Sequence, residues 1–307
     1  MLIISGNHDD YVRLTAAQAL SEELNIYTVG NNLKALDCKK RGNCYPVQSE
    51  GGYAVFENSR GERVYINTLP YPNEARFKEG KSDESFADKM KRWIDFGERG
   101  KPDGMPSVFL SHIFAAGGTS GDSEREIDLG GARAVGLDLF PKCDYCALGH
   151  LHGRQKLGNN IYYSGAIMRF TFDEAGQDKG INVFDITAEG LQNFKIVQLS
   201  SCKKLVRLQA NSVEAGIGLL NLNEGAIAEL TLNLKTPLSP SELGDLRACE
   251  NLYSLKMSVD SELASGYSAE NEGKSSSQLF SEYYSSRFGT EVPSELLELF
   301  LSLTEEE

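Results

Sequence analysis

Hydrophobic positions follow two regimes along the chain. Across residues 1–200, short apolar runs of strand length alternate with stretches of helical periodicity. Met1–Ile4 reads as a strand running into the polar loop Ser5-Gly6-Asn7-His8. Val12, Ala16, Ala17, Leu20 and Leu24 then recur at helical spacing and predict one amphipathic helix. Tyr53–Phe56 and Val64–Leu69 are β-rich and flank Asn58-Ser59-Arg60-Gly61, a hairpin turn. Phe86, Met90, Trp93 and Ile94 predict a helix over Lys81–Phe96. Strands return at Val108–Ser111, Cys143–Leu148, Ile161–Ser164, Ile181–Ile186 and Phe194–Leu199. Strands interleaved with helices, then antiparallel-looking runs, predict a layered α/β sandwich.

From about residue 201 the pattern changes. Leu205–Leu208, Val213–Leu220, Ala226–Leu234, Pro240–Ala248 and Tyr253–Val259 predict a small β-α-β-α-β unit. Ala264 to Ser277 is rich in Ser, Gly and Glu and reads as a linker. Beyond it, Leu279, Phe280, Tyr283, Tyr284 and Phe288 mark a helix stopped by Gly289. Pro293 opens a second helix bearing Leu296, Leu297, Phe300 and Leu301. The domains expected are therefore 1–200, 201–262 and 263–307. The two apolar helices either dock on their own domain or bind a partner.

Composition adds bounds. A chain of 307 residues, 40% hydrophobic and 24% charged, has room for one large domain and one or two small ones. No apolar run approaches the roughly 20 residues that span a bilayer, and no signal peptide is visible, so a soluble cytoplasmic chain with no membrane partner is expected. The net charge of −13 argues against gripping nucleic acid by bulk positive field, although metal ions or a basic partner can supply that field locally. The six cysteines form no framework. Cys143-Asp144-Tyr145-Cys146 has C-x-x-C spacing but lacks a second ligand pair for zinc, so both thiols are expected as small core residues.

The four histidines all sit in three short loops. Gly6-Asn7-His8-Asp9 follows the first strand, His112 closes the strand Val108–Ser111, and Gly149-His150-Leu151-His152 closes Cys143–Leu148. Loops beyond the carboxyl ends of strands are where α/β folds bind ligands, so the three can converge. Imidazole with amide and carboxylate oxygen suits borderline divalent metals.

In this order, G-N-H-D, an isolated strand-end His and G-H-x-H resemble the later motifs of calcineurin-like metallophosphoesterases. Further tracts resemble the SbcD nuclease branch of that superfamily. They are Thr68-Leu69-Pro70-Tyr71, Asp122-Ser123-Glu124-Arg125 with Gly130-Gly131, Asp144 to His152, Tyr162-Tyr163-Ser164-Gly165-Ala166, and Thr171-Phe172-Asp173-Glu174 through Lys179-Gly180. The likeness covers nearly the whole chain and is most specific at Gly149-His150-Leu151-His152.

The resemblance implies a layered metallophosphoesterase sandwich with two divalent ions, manganese first among them. It implies that Asn7, His112 and His150 bind one ion and His152 the other. His8 would protonate the leaving oxygen or stabilise the transition state. Asp9 would orient His8 or its loop, or act as a helix N-terminal carboxylate. The implied activity is hydrolysis of DNA phosphodiesters at duplex ends and hairpins, in repair and recombination. The implied partner is an SbcC-like coiled-coil ATPase, with a possible homodimer in the complex. The 201–262 unit falls at the family's DNA-capping module, and Leu279, Phe280, Tyr283, Tyr284, Phe288, Leu296, Leu297, Phe300 and Leu301 fall where the partner docks.

One departure stands out. The family's D-x-H and G-D-x-x-D motifs belong upstream of G-N-H-D, and only five residues precede Gly6. Those motifs would supply an Asp and a His to the first ion and the bridging Asp. The expectation is therefore that Met1 is an internal start and that this chain has little activity alone. Two rival functions share the features seen: a phosphatase acting on small or protein phosphoesters, and a non-catalytic partner-binding subunit.

Overall fold

A computed structural model describes residues 1–73, 83–121, 134–259 and 275–304. The tract Asp122-Ser123-Glu124-Arg125 with Gly130-Gly131, and most of the expected linker, lie outside the described residues. The chain divides into two compact units, Met1–Val206 and Arg207–Glu307. The boundary expected at 262/263 falls within 260–274, again outside the described residues.

The first unit is built on a seven-stranded mixed sheet. Four strands run parallel at its centre: β5 (Arg63–Leu69), β6 (Ser107–His112), β7 (Tyr145–Gly149) and β9 (Ile161–Tyr163). Antiparallel β4 (Tyr53–Asn58) and β3 (Cys44–Glu50) extend one edge, and β8 (Gln155–Leu157) extends the other. The hairpin turn forms as expected, with Gly61 at positive φ donating its N–H to the Asn58 carbonyl at 3.0 Å.

Side chains alternate between the two faces of a strand, so the register assigns each face its cover. On one face Leu69, Phe109, Cys146, Leu148 and Tyr163 form a single core with Met90, Trp93 and Ile94 of α3 (Phe86–Glu98). Ser85 caps α3, so the helix begins later than the expected Lys81. Cys146 is buried in this core, and Cys143 packs against it half-buried, with the two sulfurs 3.4 Å apart.

On the other face two small sheets serve as cover. Leu2 and Ile4 of β1 (Leu2–Ile4) pack with Tyr27 and Val29 of β2 (Tyr27–Val29) against Val64 and Ile66. The antiparallel pair β10 (Gly180–Thr187) and β11 (Gly190–Gln198) sets Phe184 4.1 Å from Tyr145 and Phe194 5.0 Å from Tyr162, ring centre to ring centre.

One expectation fails here. The single helix after the first loop is two short ones, α1 (Tyr11–Thr15) and α2 (Gln18–Glu23). Val12, Leu20 and Leu24, its supposed inward stripe, are exposed, whereas Gln18 and Glu22 are buried. Those polar groups satisfy each other and Lys34: Gln18 Nε2 donates to Glu22 at 2.7 Å, and Gln18 Oε1 accepts from Lys34 at 2.8 Å. Periodicity groups residues on one face but does not say which face will be covered.

In the second unit β12 (Leu205–Ala210), α4 (Val213–Asn221), β13 (Ile227–Leu234), α5 (Pro240–Arg247) and β14 (Leu252–Val259) form the expected β-α-β-α-β pattern, with β13 central. Ala228, Leu230 and Leu232 alternate on the buried face of β13, and Gly216 of α4 lets that helix approach Leu230 and Leu232. On the opposite face Glu229 accepts from Arg207 at 2.9 Å and Lys256 at 2.8 Å, joining all three strands.

The terminal helices α6 (Ser276–Phe288) and α7 (Ser294–Thr304) follow, and Gly289 ends α6 in a left-handed cap. From sequence the stripe on α6 has nothing near it to cover it; in fact α7 covers part of it. Phe280 and Phe300 stack with ring centres 4.1 Å apart. Leu279, Tyr283 and Leu296 remain exposed, and the Phe288 side chain lies outside what the structure describes. Among the described residues no helix is long and apolar enough to cross a membrane.

The Glu229 cross-strand pair makes a pH prediction. Its hydrogen bond from Lys256 holds the carboxyl below the usual glutamate range, against the opposing effect of burial. A depressed folded value means stability that is present above about pH 4.3 and lost as pH falls through the lower folded value. Urea unfolding of the second unit should weaken with acid over that window, and Glu229→Gln should flatten the dependence.

Candidate active site

The loops after β1, β6 and β7 meet at the carboxyl ends of the parallel strands. Tyr71, just past β5, donates its N–H to the Ser5 carbonyl at 2.9 Å, and Ser5 Oγ donates to the Gly30 carbonyl at 3.0 Å. These bonds set the Gly6-Asn7-His8-Asp9 loop beside the ends of β5 and β6. Inside the loop the Asp9 carboxylate accepts from the Gly6 N–H at 2.6 Å. The N-terminal cap of α1 is Asp10, which accepts from the Val12 and Arg13 N–H groups.

In the parallel register His112 lies opposite Gly149. A Cβ on Gly6 would come within 2.7 Å of the His112 ring, and one on Gly149 within 2.8 Å. Neither glycine has positive φ; both are small so that His112 fits between two loop backbones. The segment after His112 is clamped by the buried Tyr163, whose hydroxyl accepts from Ala115 N–H at 2.9 Å and donates to the Ile113 carbonyl at 2.7 Å.

Asn7, His8, His112, His150 and His152 line one cavity of about 640 Å³, with Phe170 and the Gly165-Ala166 turn. All four histidines of the chain therefore share one site. His112 Nε2 lies 2.9 Å from Asn7 Oδ1, and the His112 and His150 rings meet edge to face at 5.5 Å. His150 sits at φ 103, a backbone region rarely adopted by residues with a side chain. Strain of this kind persists where surrounding structure over-determines it, and it clusters at functional sites. His152 Nδ1 lies 2.8 Å from the buried Glu174, which in turn pairs with the buried Lys179 at 2.6 Å.

The donor chemistry fits a divalent ion in part. Two donors held on one ion at about 2.1 Å and at right angles lie about 3 Å apart, the separation of Asn7 Oδ1 and His112 Nε2. Imidazole and amide donors suit manganese, iron or zinc. Among the described residues, no carboxylate lines this cavity and no group of three or more His, Cys, Asp or Glu is placed to hold a metal. Of the donors expected from sequence, His152 is the one left for a second ion.

Phe170, Glu174 and Lys179 carry no role readable from sequence, although Glu174 and Lys179 lie in tracts that support the resemblance. Their pairing depends on the short turn Phe172–Glu174 meeting the start of β10, which no local periodicity encodes.

The molecule is thus a mixed α/β protein with a histidine-lined site beyond the carboxyl ends of its parallel strands, the usual ligand position in open α/β sheets. The chain is 31% identical to the SbcD component of nuclease SbcCD from Bacillus subtilis (strain 168) over a 321-residue alignment covering 99% of this chain and 78% of that protein. It is 28% identical to the protein of the same name from Staphylococcus epidermidis (strain ATCC 12228 / FDA PCI 1200) over 210 residues, 67% of this chain and 50% of that protein. This chain belongs to the SbcD nuclease family. No family model matches it.

Because two loop backbones enclose His112, Gly149→Ala should push its ring out of the site. The expected result is a shifted His112 imidazole resonance, with roughly 1–3 kcal/mol of lost stability. Proton NMR and urea unfolding on the same sample read the two effects.

Proposed function

We propose that this cavity is the metal centre of a DNA phosphodiesterase, with Asn7, His112 and His150 on one ion and His152 toward a second. The observation behind this reading is the gathering of every histidine and Asn7 on one cavity in a chain of the SbcD family. A divalent ion bound there, manganese first, supplies positive charge against the phosphodiester and lowers the pKa of water. Against the protein's net charge of −13, that local charge favours the entry of an anionic substrate.

The chain's own groups divide the remaining work. Asn7 and His112 orient each other across their 2.9 Å contact. His8, exposed on the cavity wall, is placed to give a proton to the leaving oxygen or to steady developing negative charge. Asp9 holds the loop that presents both Asn7 and His8. Phe170, exposed at the cavity and 5.7 Å from the His152 ring, offers an apolar face to a substrate sugar or base. The layering, α3 on one face and two small sheets on the other, agrees with a metallophosphoesterase sandwich.

The name of the two relatives describes one component of a nuclease complex, and the partner proposed here is an SbcC-like ATPase meeting α6 and α7. The part of the α6–α7 surface left for it holds Leu279, Tyr283 and Leu296. DNA repair and recombination at duplex ends and hairpins is the corresponding cellular role.

With no carboxylate among the described residues that line the cavity, this chain alone should show at most trace cleavage of a labelled hairpin duplex in Mn²⁺. It should still bind Mn²⁺ in a manner abolished by His112→Ala. Robust cleavage that His150→Ala abolishes would show these donors to be enough; binding indifferent to His112 would refute the metal centre.

A further inference from the structure

His152 is gripped at two places by one buried ion pair. Its ring nitrogen Nδ1 meets Glu174 Oε1 at 2.8 Å, the other Glu174 oxygen meets Lys179 Nζ at 2.6 Å, and Lys179 Nζ returns to the His152 carbonyl at 3.0 Å. The third Lys179 proton goes to Gln177 Oε1 at 2.8 Å. Glu174 is 1% exposed and Lys179 4% exposed. The contacts close a ring that starts and ends on His152, so side chain and main chain are fixed against each other. Ala166 N–H adds a bond to the same His152 carbonyl at 3.0 Å, and a Cβ on Gly165 would stand 2.6 Å from that oxygen.

A carboxylate only accepts hydrogen bonds, so a proton must sit on His152 Nδ1, and in the neutral ring this leaves the lone pair on Nε2. Free neutral histidine favours the opposite tautomer. A buried ion pair is costly to desolvate, and apolar residues of similar volume often replace one without loss of stability. Stability alone therefore does not account for two charges buried behind one cavity residue.

We infer that Glu174 and Lys179 are positioning residues that lock His152 in its Nδ1–H tautomer and turn its Nε2 lone pair to the cavity. What Nε2 meets there rests on the metal-centre reading above; the tautomer itself does not. Partners of this kind behind a metal-binding histidine typically change metal affinity by about 10–100-fold.

The test is a long-range proton–nitrogen correlation spectrum of the full chain without metal. With four histidines in the sequence, His152→Gln identifies the signal. The parent should show His152 protonated on Nδ1. The double variant Glu174→Leu/Lys179→Met, chosen because a lone Glu174→Ala would strand a buried lysine, should show Nε2–H. Its unfolding midpoint should stay the same, and its Mn²⁺ affinity should fall about 10–100-fold. An Nδ1–H signal that survives in the double variant, or an Nε2–H signal in the parent, would overturn the inference. If the tautomer switches but His152→Ala leaves Mn²⁺ affinity unchanged, the positioning stands and the metal role of His152 fails.

Discussion

The parallel hydrogen bonds between β6 and β7 place His112 opposite Gly149, and that register organises the site. A slip of one residue would turn His112 to the other face of the sheet, under α3, and bring a residue with a Cβ against its ring. The apolar pattern opposes such a slip. Phe109, Cys146 and Leu148 must stay on the α3 face, because moving them would expose the core that Trp93 and Ile94 complete. The hydrophobic register of the sheet therefore also sets the positions of the histidines. The main-chain bond from Tyr71 N–H to the Ser5 carbonyl and the Ser5 hydroxyl bond to the Gly30 carbonyl bring the remaining loop to the same edge.

Two buried tyrosines of the first unit are paired in ways that aim neighbouring segments. Tyr65, fully buried, donates its hydroxyl to the Gly97 carbonyl of α3, and burial pushes its phenol pKa upward, so it stays a donor. Tyr163 does the same service for the segment after His112. In each case one hydroxyl joins the sheet to a neighbouring segment, where an unmade bond would cost about 1–3 kcal/mol. The Tyr163 bonds support the segment after His112, and a site of this kind needs rigid support to keep its donors in place.

The second unit uses charge differently. Its core is the alternating Ala228, Leu230 and Leu232 face of β13, while Glu229 joins β12 and β14 through Arg207 and Lys256 on the other face. The terminal helices share their aromatic surface through Phe280 and Phe300, which narrows what α6 and α7 can offer outward. Both halves of the unit thus cover apolar surface from within first.

Much of this is open to reading in the linear chain. The strand runs, the hairpin at Asn58–Gly61, the β-α-β-α-β pattern and the left-handed stop at Gly289 all depend on local periodicity and turn chemistry, which a sequence states directly. Three histidine loops at strand ends are legible for the same reason. Strands β2, β3 and β8 escape such a reading, since β2 and β8 span three residues each, too few to show a period, and Pro46 interrupts β3. The helix after the first loop defies its periodicity because the covered face depends on what packs against it. That Gly6 and Gly149 make room for His112, and that Glu174 and Lys179 hold His152, was decided by tertiary structure alone. Those contacts join residues with no shared period, and only a fixed fold sets their separation.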